Sequence, residues 1–135
     1  MYISKKNRVI IKQKYNGLCA YTGTVLTDDW QVDHIKPVRR NWYDNSALNK
    51  ENHNIDNMIP TQRIINHYKH SLDLETFRIW LLGGLHKRLK KVPKNPRTIK
   101  SIKRKAYILE VAKLFGITED KPFCGVFYFE KVAKL

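Results

Sequence analysis

Three short motifs lie close together in this chain, and they constrain its fold more than any other feature. Residues 32–37 form a short apolar run that carries Asp33 and His34 and ends at a proline. Residues 54–60 open with an Asn and close as a second apolar run. Residues 66–69 fall in a segment whose apolar side chains recur at helical spacing. This order predicts strand, loop, strand and helix, with polar side chains converging on one place.

The first strand has to bend or end at its Asp-His pair if both side chains serve one site. Alternation along residues 30–35 would otherwise send Asp33 and His34 to opposite faces. Pro37 supports an end there, because proline cannot donate to a strand ladder and restricts the residue before it. The polar loop that follows, residues 38–53, has the length of a functional loop.

The helix after the second strand is predicted to be amphipathic, with Thr61 as its N-terminal cap. Its apolar stripe consists of Ile64, Ile65, Tyr68 and Leu72. Its opposite, polar side consists of Gln62, Asn66, Lys69 and His70. We therefore expect Asn66 and His70 to face the polar end of the strands.

The rest of the chain predicts three further helices and a strand at residues 126–129. The helices cover residues 4–15, 74–91 and 99–115. Asp73 and Thr98 are suited to cap the second and third of these helices. Gly83 and Gly84 predict a kink or a close helix crossing in the second, because glycine weakens a helix interior.

Composition indicates a globular chain that attracts polyanions. The 135 residues are 42% hydrophobic and carry a formal net charge of +14. No apolar run approaches the ~18 residues of a membrane span, and the N-terminus lacks the apolar middle of a secretory signal. Lys and Arg cluster in residues 87–105 without an intervening acid, which favours nucleic acid over a membrane as partner. Cys19 and Cys124 are expected to be free thiols in a reducing compartment.

Taken together, the three motifs resemble those of the HNH endonuclease family. The specific part is Asp33-His34 followed by an Asn-x-x-Pro that begins at Asn57 and an Asn-x-x-Lys that begins at Asn66. The matching segment covers about residues 18–77.

The resemblance implies an α+β fold built on the ββα-metal finger of that family. We expect this core to carry flanking α-helices and a short C-terminal strand. Residues 1–135 are expected to form a single domain, with the core at about 18–77 and a basic helical extension at about 78–135.

Phosphodiester hydrolysis needs a base for the attacking water and positive charge near the leaving oxygen. A neutral His supplies such a base near pH 7, and Asp and Asn oxygens suit Mg²⁺ or Mn²⁺. The resemblance assigns these roles to His34 as general base and to Asp33 and Asn66 as ligands of one metal ion. It also implies that Asn57 ties the loop across the two strands and helps to fix the base.

Many HNH nucleases also hold a structural zinc ion with two pairs of cysteines. Here only Cys19 occupies one of the four positions, and Thr22, Gln62 and Ile65 occupy the others. We therefore expect no structural zinc, and expect Ile65 to pack against Cys19 and Tyr21 in its place.

Further side chains near the motifs are expected to contact nucleic acid. These candidates for phosphate contacts are Arg39, Arg40, Arg63 and Lys69. For His70, which follows Asn66 by four residues, the sequence leaves open a third metal ligand or a solvated helix residue.

These features predict a metal-dependent endonuclease that hydrolyses DNA phosphodiester bonds. The alternatives are a basic nucleic-acid-binding protein with a non-cutting HNH-like finger and a protein directed at RNA. Nicking or double-strand cleavage depends on whether a homodimer forms. The small size of the chain favours a phage or mobile-element context, in the cytoplasm of a bacterial or phage-infected cell.

Overall fold

The structure is a computed structural model that describes residues 3–38, 43–44, 46 and 50–133. Two strands, β1 (Gln31–His34) and β2 (Met58–Thr61), form a small antiparallel sheet. Asp33 lies opposite Ile59 in this sheet. The connection between the strands contains two short 3-10 turns, Lys50–Asn52 and Ile55–Asn57.

Helices account for about half of the described chain. They are α1 (Lys5–Gln13), α2 (Arg63–Lys69), α3 (Leu74–Trp80), α4 (His86–Lys91), α5 (Ile99–Phe115) and α6 (Tyr128–Val132). A π-helical segment, Leu81–Leu85, joins α3 to α4 and contains Gly83 and Gly84. The kink or close helix crossing expected at these glycines stays a prediction. The mixed α+β class predicted from the sequence is confirmed.

Local side chains explain where several helices begin. The carboxylate of Asp73 and the hydroxyl of Thr98 accept hydrogen bonds from first-turn N–H groups of α3 and α5, as predicted. The predicted cap at Thr61 is wrong. Thr61 is instead the last residue of β2, and its hydroxyl lies 3.7 Å from the sulfur of Cys19. Gln62 precedes α2 without a side-chain cap hydrogen bond.

The predicted strand at residues 126–129 is also wrong, because α6 begins within it. Phe127 is fully buried and stacks on Phe77 with ring centroids 5.6 Å apart. The carboxylate of Glu130 accepts a hydrogen bond of 2.9 Å from the backbone N–H of Phe127 and thereby favours a helix start. These contacts outweigh the strand propensity of the apolar run.

One hydrophobic core runs through the described chain. Its buried side chains come from the sheet and from helices α1 to α5, and it extends from Ile11 to Phe127. The C-terminal helices therefore pack on the same core as the strands and α2. None of the described helices has the length and apolar character needed to cross a membrane.

Candidate active site

The Asp-His pair lies at the end of β1, as the strand geometry requires. The strand ends at His34, and residues 35–36 form a bend. Asp33 is buried, whereas His34 is half-buried.

Two buried side chains hold one oxygen of the Asp33 carboxylate. The hydroxyl of Tyr21 donates to Oδ2 at 2.5 Å, and the ammonium of Lys69 lies 3.1 Å from the same oxygen. Burial, and next the charge of Asp33, raise the pKa of Tyr21 well above its usual value, so its hydroxyl remains a donor. The other oxygen, Oδ1, makes no hydrogen bond to any residue that the structure describes.

Two residues of the polar side of α2, Gln62 and Lys69, are buried. These residues are only 5% and 1% exposed, respectively. Gln62 packs against the turn that precedes β1, and Lys69 packs against β1 itself, so their polar groups are buried with partners. A phosphate contact by Lys69 stays a prediction, since its ammonium faces Asp33 here.

Asn57 joins the segment after β1 to the segment before β2. Its Oδ1 accepts from the backbone N–H of Lys36 at 2.9 Å, and its Nδ2 donates to the carbonyl of Lys36 at 2.9 Å. The same Nδ2 donates to the carbonyl of Asn52 at 2.6 Å. These bonds fix the chain two residues beyond His34, and the part assigned to Asn57 in holding the base stays a prediction.

Asn66 connects α2 to the first residue of β1. Its Nδ2 donates to Oε1 of Gln31 at 2.8 Å. Its Oδ1, like Oδ1 of Asp33, makes no hydrogen bond within the described part of the chain. Asp33 and Asn66 therefore each present one oxygen that a cation could take.

His34 has a histidine partner that the sequence analysis did not identify. Its Nε2 lies 3.1 Å from Nδ1 of His53, with ring centroids 5.2 Å apart. Burial, and next the neighbouring His53, lower the pKa of His34, although the charge of Asp33 opposes them. No motif marks His53 in the sequence. Its contact with His34 arises from the tertiary structure alone.

Hydrogen bonds tie α2 to the turn where the family would bind zinc. The Nε2 of Gln62 donates to the carbonyl of Val25 at 2.5 Å, and its Oε1 accepts from the hydroxyl of Thr27 at 3.1 Å. The backbone N–H of Gln62 donates to the sulfur of Cys19 at 3.4 Å. Cys19, Tyr21 and Ile65 are all fully buried in the core, and Cys19 is a free thiol as predicted.

The other predicted site residues that the structure describes are exposed. Arg63 is exposed, with its guanidinium 4.0 Å from the carboxylate of Asp29. Arg39 and Arg40 fall outside the described residues. His70 is exposed, and its φ of 55° marks the end of α2. His67 is also exposed, and its Nδ1 lies 2.8 Å from the hydroxyl of Tyr107.

Within the described ranges, no group of three or more His, Cys, Asp and Glu side chains is arranged to hold a metal ion. Asn66 lies on the helix packed against β1 and offers a neutral oxygen that could act as a ligand together with Asp33 and water. Comparison with known proteins yields no match to a family model, a curated protein or a solved structure.

Proposed function

We propose that the protein is a metal-dependent DNA endonuclease of the HNH type, with β1, β2 and α2 as its ββα-metal core. One observation supports this proposal best. Asn57 bonds to Lys36 just after β1, Lys69 pairs with Asp33 within β1, and Asn66 bonds to Gln31 at the start of β1. Residues distant in sequence thus bond to the short strand that carries Asp33 and His34, or to the residues directly after it.

His34 is the proposed general base. Its lowered pKa favours the neutral ring at pH 7, which is the form that accepts a proton from an attacking water. His53 is the proposed partner that orients this ring through their shared hydrogen bond. Asn57 acts as a positioning residue, because it fixes the backbone just beyond His34.

Asp33 and Asn66 fit a hard divalent cation such as Mg²⁺ or Mn²⁺. Each leaves one oxygen without a hydrogen bond to a described residue, and Mg²⁺ commonly takes one or two protein ligands and completes its shell with water. A bound cation would supply positive charge to the leaving and non-bridging phosphate oxygens. Tyr21 and Lys69 hold the opposite oxygen of Asp33 and so determine which oxygen is open.

The same ion pair favours a second function, a nucleic-acid-binding protein that does not cut. The ammonium of Lys69 already neutralises the carboxylate of Asp33. A neutralised carboxylate attracts a divalent cation less strongly. In that case the net charge of +14 would serve binding alone.

Plasmid cleavage tests the two functions against each other. Supercoiled plasmid is incubated with Mg²⁺, with Mn²⁺ or with EDTA, using wild type, His34→Ala and the matched control His67→Ala. His67 is an exposed histidine on α2, outside the cluster around Asp33. We expect metal-dependent nicked or linear product from wild type and His67→Ala, and a loss of about 10²–10⁴-fold in His34→Ala.

Cleavage that persists in His34→Ala would overturn the assignment of the base. Absence of cleavage with every metal, together with tight binding that weakens as salt rises, would favour the non-cutting protein. Open-circle product alone would indicate nicking, and early linear product would indicate cleavage of both strands.

A further inference from the structure

A cleft of about 280 Å³ between α4 and α5 gathers positively charged side chains away from the candidate active site. Arg88 and Lys91 line it from α4, and Arg104 and Lys105 line it from α5. Among the described residues, no acidic side chain lines the cleft. Its volume is just below the ~300 Å³ at which pockets for small ligands begin, so it suits a short stretch of a chain molecule.

The basic character of the cleft arises from the pattern of α5. Ser101, Arg104, Lys105 and Ile108 are spaced at i, i+3, i+4 and i+7, so they share one face of the helix. Ile108 is buried, and further along the helix Val111 continues the same stripe into the core. Toward the start of α5, Arg104 and Lys105 take the place of apolar side chains on this face of the helix, and they line the cleft opposite α4.

This arrangement brings like charges together without compensation. No basic side chain of residues 87–105 forms an ion pair with a residue that the structure describes. Lys105 donates to the carbonyl of Lys94 at 2.9 Å, which orders the linker but leaves the charge uncompensated. Converging cations repel one another, and a bound polyanion removes that cost.

The cleft adjoins the helix that carries the candidate site. The guanidinium of Arg88 donates to the hydroxyl of Tyr68 at 3.3 Å, and Tyr68 precedes Lys69 on α2. An extended anion that lies on α2 can therefore continue into the cleft. Val92 and Pro93 complete the lining with apolar surface against which a sugar ring can pack.

We propose that this cleft binds the sugar–phosphate backbone of one strand of duplex DNA, beyond the bond that is cut. The proposal rests on the proposed function, because that function supplies DNA as the partner. The cleft provides charge for the phosphates and apolar surface for the sugars, without a base-reading groove. It therefore contributes affinity that depends on salt and not on sequence.

Two double variants with the same change of charge test the proposal. Lys91→Gln/Arg104→Gln removes two exposed cations from the cleft, and Lys113→Gln/Lys121→Gln removes two exposed cations elsewhere. Binding to a short labelled DNA duplex in EDTA is measured by fluorescence anisotropy over a range of salt concentrations. Thermal unfolding checks that both variants remain folded.

We expect the cleft variant to bind at least tenfold more weakly at low salt. The slope of log K against log salt should be shallower by about 1.8 for this variant, because each lost phosphate contact removes ~0.9 from the slope. The matched variant should change the slope by less than about 0.5. Equal weakening of DNA binding in both variants would overturn the cleft as a binding site, since general net charge would then explain the affinity. Unchanged binding by the cleft variant would overturn it as well.

Competition and cleavage separate the remaining outcomes. A duplex RNA that displaces the labelled DNA at lower concentration than duplex DNA does would overturn the assignment of the partner. Plasmid cleavage by the wild type is assayed in parallel with Mn²⁺. If the wild type does not cut, yet only the cleft variant loses binding, the nuclease proposal fails while the cleft stands as a DNA-binding site.

Discussion

The ammonium of Lys69 lies 3.1 Å from the carboxylate of Asp33, and the two side chains are only 1% and 11% exposed. Lys69 ends α2 and Asp33 lies in β1, so this pair joins the helix to the strand that carries His34. A buried charge is costly once its partner is lost, and the pair therefore couples the two motifs.

Replacement of Lys69 by Met should lower the free energy of unfolding by about 3–5 kcal/mol, because Asp33 is left as a buried, partly compensated charge. Urea denaturation followed by circular dichroism measures this change. The matched variant Lys113→Met, which alters an exposed lysine, should change stability by less than about 0.5 kcal/mol.

The double variant Asp33→Asn/Lys69→Met tests whether the two side chains act as a pair. Its cost should be clearly smaller than the sum of the two single costs, because removal of both charges leaves neither unpaired. Strict additivity would contradict the coupling between α2 and β1.

His34 should titrate below the ordinary histidine value of ~6.5 in NMR spectra of the folded protein, because burial and His53 disfavour its charged form. His53→Ala should raise the pKa of His34 only part of the way back to the ordinary histidine value, since burial is the larger cause of the lowering. A group with a lowered folded pKa binds more protons when unfolded. Its contribution to stability is therefore present above pH ~6.5 and is lost as pH falls through the folded pKa. A value for His34 at or above ~6.5 would contradict the burial argument.

Gly23→Ala should cost more stability than Gly17→Ala. Both glycines have positive φ, 73° and 81°, which costs an Ala about 1–2 kcal/mol. A Cβ at Gly23 would lie 2.6 Å from Cδ1 of Tyr128, whereas a Cβ at Gly17 would meet nothing within 4 Å. We expect a further loss of about 1–3 kcal/mol for Gly23→Ala in thermal or urea unfolding. Equal losses would show that the Tyr128 ring moves aside at little cost.

Gln62→Ala should lower the free energy of unfolding by about 1–3 kcal/mol, because it removes the partly buried hydrogen bonds of Gln62 to the carbonyl of Val25 and the N–H of Thr27. The exposed Gln13→Ala on α1 serves as control and should change stability by less than about 0.5 kcal/mol. If both variants unfold at the same urea concentration as wild type, the hydrogen bonds of Gln62 do not hold the turn to α2.

Several features of the fold could be predicted because they depend on a few neighbouring residues. Each cap, at Asp73 and at Thr98, needs only one side-chain oxygen, which accepts a hydrogen bond from the backbone N–H three residues later in the chain. The end of β1 near Pro37 likewise follows from the geometry of one ring.

The candidate site was predicted in its residue types but not in its partners. Asp33, His34, Asn57 and Asn66 stand out by spacing, and the structure brings them to one strand–strand–helix unit. The contact of His53 with His34 was missed, since the two residues are nineteen positions apart and no local sequence pattern links them. Lys69 was expected on the polar side of a helix, yet it is buried against Asp33.

By itself, the sequence determined the caps of α3 and α5, the end of β1 and the set of polar residues near it, because local backbone sterics and single hydrogen bonds decide these features. Tertiary structure alone decided that Lys69 is buried, that His53 meets His34 and that Phe127 begins a helix. Such outcomes depend on which side chains from distant parts of the sequence pack together and are thereby removed from water. Many alternative pairings share the same local pattern, and only the packing of the whole core selects one of them.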